Sequence, residues 1–162
     1  MNPKYMYIHP KLSMNELLTP VVPCMCASLR RAARALTQLY EDELRPVGLR
    51  ATQFTLLQVL SLAGEVTQGE LGQMLAMDST SLTRTLAIMT RRGWIQKRRG
   101  TDRRQWRLRL SKAGAAQLTR ALPRWEKVQA RLRQQLGHRQ WNQLMKLTNY
   151  VTNTVTERGE LP

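Results

Sequence analysis

The sequence TQGELGQMLAMDSTSLTRTLAIMTRRG, residues 67–93, has the spacing of two helices joined by a tight turn. Thr67 and Glu70 have the spacing of a capping box, which predicts a short helix with an apolar stripe. Asp78 is a predicted N-cap for a second helix, and Gly93 is its predicted C-terminal residue. The stretch therefore predicts a helix-turn-helix.

The second of these helices divides into two faces. Leu82, Leu86 and Met89 recur at helical spacing and are predicted to pack inward. The opposite face suits the major groove of DNA, because threonine can contact a thymine methyl group and arginine can bridge guanine O6 and N7. An ordinary solvent-exposed helix is the alternative. The candidate DNA-contacting residues of this helix are Ser79, Thr80, Ser81, Thr83, Arg84 and Arg91.

After Gly93 the apolar period changes from helical to alternating. Residues 94–98 and 105–110 alternate apolar and polar side chains, which predicts a β-hairpin with a charged tip. At the tip, Asp102 is predicted to stabilise this wing by pairing with a guanidinium, which leaves a second arginine for a narrow minor groove. A merely soluble turn is the alternative. The candidate DNA contacts of the wing are Arg99, Arg103 and Arg104.

Helical periodicity extends to both sides of this module. Residues 24–45 and 112–157 carry apolar side chains at three- and four-residue steps, and these helices are too long and too apolar to serve one small DNA-binding core. Their predicted use is a dimer interface. The predicted fold is mainly α with a small β-hairpin wing, a winged helix-turn-helix plus a helical dimerisation region. Residues 1–23 form a predicted N-terminal arm and residues 46–111 the DNA-binding domain.

The charge of the chain favours nucleic acid as a partner. Its 162 residues include 26 Lys and Arg against 11 Asp and Glu, a formal net charge of +15. Ten of these cations and only one acid lie between Arg91 and Lys112, at the end of the second helix and along the hairpin. Such a concentration is typical of a surface that binds phosphates. A protein that binds a membrane surface is the rival interpretation.

Other classes of protein are poorly supported. There is no long apolar run, no secretory signal and no disulfide framework, so we expect a bacterial cytoplasmic, nucleoid-associated protein without a membrane partner. The two histidines are far apart, and neither a phosphate-binding loop nor a zinc motif is present. We therefore expect no enzymatic activity, no metal and no cofactor.

Five short motifs carry a resemblance to a known family. They are residues 49–54 (LRATQF), 78–84 (DSTSLTR), 93–95 (GWI), 102–104 (DRR) and 110–114 (LSKAG). From Cys24 to Val155 the chain resembles the MarR family of winged helix-turn-helix transcriptional regulators. The resemblance implies a homodimer on pseudo-palindromic DNA, with recognition helices in successive major grooves, wing arginines in the minor groove, and repression that a small ligand or an oxidant relieves.

The resemblance also implies an effector pocket between the helical and DNA-binding parts. Its candidate residues are Cys26, Arg30, Arg34, Phe54 and Trp125. An arginine beside aromatic surface could hold a small aromatic or phenolic effector that carries a carboxylate. The alternative is that the two aromatic residues belong to the core and the two arginines are solvated.

Cys24 and Cys26 are candidates for a redox site. Residues 26–36 resemble the first helix of the branch that senses organic hydroperoxides, and a helix N-terminus with Arg30 nearby would favour a thiolate. That branch, however, has a tyrosine where this chain has Arg30. Two buried, inert cysteines are the other interpretation. A non-specific architectural nucleic-acid-binding protein is a further alternative for the chain as a whole.

Overall fold

The computed structural model describes residues 24–100 and 106–156. Within these ranges the chain forms five helices, a short 3-10 turn and three strands. The chain divides into two compact units, and the boundary between them lies within the first helix, between Gln38 and Leu39. In chain order the elements are α1 (Met25–Leu44), the 3-10 turn (Arg45–Val47), α2 (Ala51–Ala63), β1 (Val66–Thr67), α3 (Gln68–Leu75), α4 (Ser79–Arg91), β2 (Ile95–Arg99), β3 (Trp106–Leu110) and α5 (Lys112–Thr156).

The predicted fold class, mainly α with a small β-hairpin, is confirmed. β2 and β3 pair antiparallel, with Ile95 opposite Leu110 and Arg99 opposite Trp106. A third strand, β1, pairs with the other edge of β3 and gives the sheet order β1-β3-β2. The sequence did not predict β1, because two residues are too few to show an alternating pattern.

Helix ends are fixed by the predicted side chains. Thr67 Oγ1 accepts a hydrogen bond from the backbone N–H of Glu70 at 3.2 Å, and the Glu70 carboxylate accepts from the backbone N–H of Thr67 at 2.7 Å. Asp78 accepts from the backbone N–H of Ser81 at 2.9 Å. Gly93 has a φ of +71°, which favours glycine there. The predicted helix-turn-helix is therefore capped at the expected positions.

The core lies between the helix-turn-helix and the sheet. Leu82, Leu86 and Met89 of α4 are buried as predicted, and they join Leu57 of α2 and Leu108 of β3. Full burial of each such side chain contributes about 1.5–3 kcal/mol relative to its exposure. This packing fixes which face of α4 points to solvent.

α5 changes character along its length. Its buried residues lie between Gly114 and Val128, and its helical backbone is interrupted at Gly137, with a φ of 73° and a ψ of 159°. No helix in the described ranges is long and apolar enough to cross a membrane. The second half of α5 carries large apolar side chains that are exposed, namely Leu136, Leu144, Met145, Leu147, Tyr150 and Val155.

Candidate nucleic-acid interface

The outer face of α4 presents hydroxyl and guanidinium groups to solvent. Every predicted contact residue of this helix is exposed, and Thr80, Arg84 and Arg91 lie opposite the buried apolar stripe. Four of them surround a shallow recess of about 390 Å³. The recess is lined by Ser79, Thr80, Thr83 and Arg84.

The inner face of the hairpin carries a cation and aromatic cluster. The strand register places Lys97, Arg99 and Trp106 on the face that buries Ile95 and Leu108 further along the sheet. Lys97 Nζ lies 4.5 Å from the centre of the Trp106 ring, and Arg99 Cζ lies 5.4 Å from it. The ring therefore holds two cations on this face of the wing by cation–π attraction.

A cleft of about 1060 Å³ separates this cluster from the helices. α3, the start of α4, Trp106 and the end of α5 line it. Its walls include Gly72 and the small residues Ala76 and Ser79. Three predicted wing residues, Asp102, Arg103 and Arg104, lie outside the described residues, whereas Arg99 is exposed at the end of β2.

The outer face of the hairpin is held by Glu65, which the sequence did not single out. Arg98 donates to its carboxylate through Nε and Nη2, both at 2.8 Å, and Arg107 Nε lies 3.9 Å away. These hydrogen bonds lower the pKa of Glu65 and raise that of Arg98. Two of the predicted hairpin cations are thus engaged within the chain.

Gln68 is a second residue that the sequence did not single out. It is the first residue of α3, and its Nε2 donates to Thr83 Oγ1 at 2.7 Å. The bond joins the two helices of the helix-turn-helix on the exposed side of α4. No local pattern predicts it, because the two residues are 15 positions apart.

Arg92 has a structural use at the end of α4. Its Nη1 donates to the backbone carbonyl of Gly48 at 3.1 Å, and its Cζ lies 5.0 Å from the centre of the Trp94 ring. The side chain therefore ties α4 to the segment that precedes α2.

The residues predicted for an effector pocket fall into two groups. Phe54 is buried, and its ring centre lies 5.9 Å from that of Trp125, so this pair packs in the core. Cys26, Arg30 and Arg34 are exposed along α1.

Both cysteines are exposed free thiols, so the expectation that they are buried is wrong. Cys24 immediately precedes α1, and Cys26 lies in its first turn. Their position at the end of a helix with few buried residues explains the exposure. Within the described ranges, no three His, Cys, Asp or Glu side chains converge as ligands of a metal ion would.

Comparisons with known proteins converge on one family. Residues 47–105 match the sequence profile of the MarR family. The chain is 35% identical over 105 residues to the multiple antibiotic resistance protein MarR of Salmonella typhimurium, an alignment that covers 64% of this chain and 72% of that protein. It is 31% identical over 77 residues to the HTH-type transcriptional regulator YwoH of Bacillus subtilis, which covers 48% of this chain and only 56% of YwoH.

A solved structure extends the similarity to nearly the whole fold. The transcriptional regulator MosR of M. tuberculosis, in complex with DNA, superposes with a TM-score of 0.77 at 36% identity. The match covers 85% of this chain and 99% of the MosR chain. The chain therefore belongs to the MarR family of winged helix-turn-helix transcriptional regulators.

Proposed function

We propose that the chain binds double-stranded DNA sequence-specifically and represses transcription as a homodimer at the nucleoid of the bacterial cytoplasm. The observation that carries this proposal is the exposed face of α4, where hydroxyl groups and Arg84 oppose a buried leucine stripe. Small and hydroxyl side chains let a helix approach base edges closely, and arginine discriminates guanine. The similarity to MosR, which was solved in complex with DNA, supports the same use here.

The proposed contacts follow from the elements that carry them. α4 enters the major groove within a DNA-binding domain of residues 46–111, and Arg84 provides the main base contact. Arg99, with Arg103 and Arg104 of the tip, enters the minor groove, where Asp102 holds the tip together. Lys97 stays beside Trp106 and faces phosphates.

The proposed dimerisation region consists of residues 24–45 and 112–157. Exposed apolar side chains on α5 beyond Gly137 support it, because a surface helix this apolar is costly to leave in water. Met25, Leu29 and Leu36 give α1 the same character. A two-fold dimer would present two copies of α4 to half-sites about one DNA turn apart, roughly 34–36 Å.

DNA binding by the proposed dimer is regulated by a small molecule in this proposal. A small aromatic or phenolic effector would favour a dimer in which the two copies of α4 are wrongly spaced, and DNA would favour the opposite arrangement. The exposed arginines of α1, Arg30 and Arg34, support this class of effector because guanidinium groups pair with carboxylates.

A second candidate is regulation by oxidation, which the exposure of Cys24 and Cys26 favours. An organic hydroperoxide would transfer its terminal oxygen atom to a thiolate, which breaks the O–O bond and gives a sulfenate and an alcohol. Replacement of Cys26 by Ser, measured for DNA affinity with and without organic hydroperoxide, tests this mode. Loss of DNA binding by the peroxide-treated wild-type protein, but not by the variant, would support it.

Selection of DNA from a random pool, followed by footprinting, tests the proposed function. We expect an enriched sequence with two-fold symmetry and a discrete protected region. A non-specific architectural protein would enrich no sequence and protect no defined region, although its affinity would still fall with salt.

A further inference from the structure

The hydrogen bond between Gln68 and Thr83 has a defined polarity. The amide Nε2 of Gln68 is the donor, and Thr83 Oγ1 is the acceptor, at 2.7 Å. A threonine hydroxyl has a single hydrogen, which this bond does not use. The polarity therefore leaves Thr83 with a free hydrogen on the exposed side of α4.

Six other helical threonines of the described ranges donate that hydrogen to a backbone carbonyl within their own helix. Thr85, two residues further along α4, donates to the carbonyl of Ser81 at 3.0 Å. For Thr83, by contrast, the described part of the chain provides a donor and no acceptor. Bonds to the carbonyl four residues earlier are also made by Thr55, Thr119, Thr148, Thr152 and Thr156.

Thr83 also stands where a DNA base edge would be met. It lines the recess on α4 together with Thr80 and Arg84, whereas Thr85 is half-buried. Gln68 lines the adjoining cleft between α3 and the wing. The pair thus lies within the proposed interface, and the free hydroxyl hydrogen of Thr83 is on the side where the proposed DNA would bind.

We infer that Gln68 fixes the Thr83 hydroxyl as a hydrogen-bond donor to a base edge, so that residue 68 determines which base Thr83 selects. This inference rests on the proposed function. In the major groove, acceptors are presented by guanine O6 and N7, adenine N7 and thymine O4, and donors by cytosine N4 and adenine N6. Gln68 is a positioning residue, which acts through Thr83.

Reversal of the bond provides the test. In Gln68→Glu the carboxylate is only an acceptor, so the Thr83 hydroxyl must donate to it and turn its lone pairs to the DNA. The added charge weakens binding to all DNA, and the informative quantity is therefore the base preference at one position. Gln73→Glu, an exposed residue of the same helix, adds the same charge without contacting Thr83 and serves as the matched control.

The experiment is selection from a random DNA pool by the wild-type protein and the two glutamate variants, with Thr83→Val to identify the base pair that depends on Thr83. We expect Thr83→Val to reduce the preference at one pair about fivefold, as for one hydrogen bond. At that pair we expect Gln68→Glu to select a base that presents a donor, and Gln73→Glu to keep the wild-type base.

Two outcomes would overturn the inference in distinguishable ways. If the wild-type protein selects a defined sequence and Gln68→Glu keeps the same base at the Thr83-dependent pair, position 68 does not set the polarity, and the proposed function stands. If the wild-type protein enriches no sequence, the proposed function fails and this inference fails with it.

Discussion

Glu65 and Arg98 form a two-point ion pair on the outer face of the wing, with both N–O hydrogen bonds at 2.8 Å. The partners are 33 residues apart, and the pair ties β2 to the turn that precedes β1. A carboxylate thus restrains a cation in the most basic part of the chain, so the wing's position is determined partly by charge.

Replacement of Glu65 by Gln should increase affinity for DNA of any sequence. Arg98 and Arg107 would lose their carboxylate partner and become available to phosphates, and each added phosphate contact steepens the dependence of log K on log salt by about 0.9. Fluorescence anisotropy with random duplexes at several salt concentrations measures both quantities. Glu126→Gln, an exposed acid on α5, removes the same charge elsewhere and serves as the control. Equal salt slopes in the two variants would contradict the prediction.

The same pair predicts a pH dependence of stability. The pKa of Glu65 is lowered, chiefly by the hydrogen bonds from Arg98, so the folded state binds its proton less tightly than the unfolded state. The contribution of the pair is therefore complete above the ordinary glutamate pKa of about 4.3 and is lost as the pH falls through the lower folded value. Urea midpoints of wild type and Glu65→Gln should differ near pH 7 and converge in acid. A constant difference would disprove the linkage.

Local signals in the sequence predicted most of the fold. Thr67, Asp78 and Gly93 mark helix ends through bonds and dihedral angles within a few residues, so their spacing suffices. The leucine stripe of α4 is a periodic property and was buried as expected. What a short window determines was therefore accessible without coordinates.

Contacts between distant residues were not accessible. Glu65 contacts Arg98, and Gln68 contacts Thr83, only because the turn and the sheet bring these residues together. The sequence contains many basic residues for each acid, so it does not indicate which of them an acid will pair with. The burial expected for the two cysteines was wrong for a related reason. Free cysteine is usually buried, but its burial here depends on what packs against α1.

Gly114→Ala should destabilise the fold by about 1–3 kcal/mol. A Cβ at this position would overlap the backbone oxygen of Trp94 and lie 2.8 Å from Leu110 Cδ1, so α5 would have to move away from the hairpin. Urea unfolding measures the loss. Gly69→Ala is the matched control, because its Cβ has only Thr67 Oγ1 within reach, at 4.0 Å, and a helical alanine is favoured over glycine. Similar losses in both variants would argue against the close approach.

Arg84→Ala should reduce discrimination between the selected DNA and a random duplex by about 1–3 kcal/mol. Arg84 lines the recess at the centre of the α4 face, where a guanidinium can bridge guanine O6 and N7. Arg91→Ala, at the end of the same helix, should weaken binding to both duplexes alike, as expected for a phosphate contact. Competition binding at one salt concentration separates the cases. If Arg84→Ala lost the same affinity on both duplexes, Arg84 would contact the DNA phosphates rather than a base.

Leu147→Glu should convert the proposed dimer to a monomer. Leu147 is 62% exposed in the single chain, in the half of α5 that contains no buried residue, and a charge placed in an apolar interface would lack a partner there. Sedimentation velocity at micromolar concentration measures the change, and circular dichroism verifies that the helices persist. Leu62→Glu places the same charge on an 89% exposed leucine of α2 and should leave the mass of the particle in solution unchanged.

Because a monomer carries one copy of α4, Leu147→Glu should also lose the affinity gained from the second half-site while keeping its contacts to one half-site. A Leu147→Glu protein that remains dimeric would place the interface elsewhere, whereas loss of dimer in both variants would point to general destabilisation.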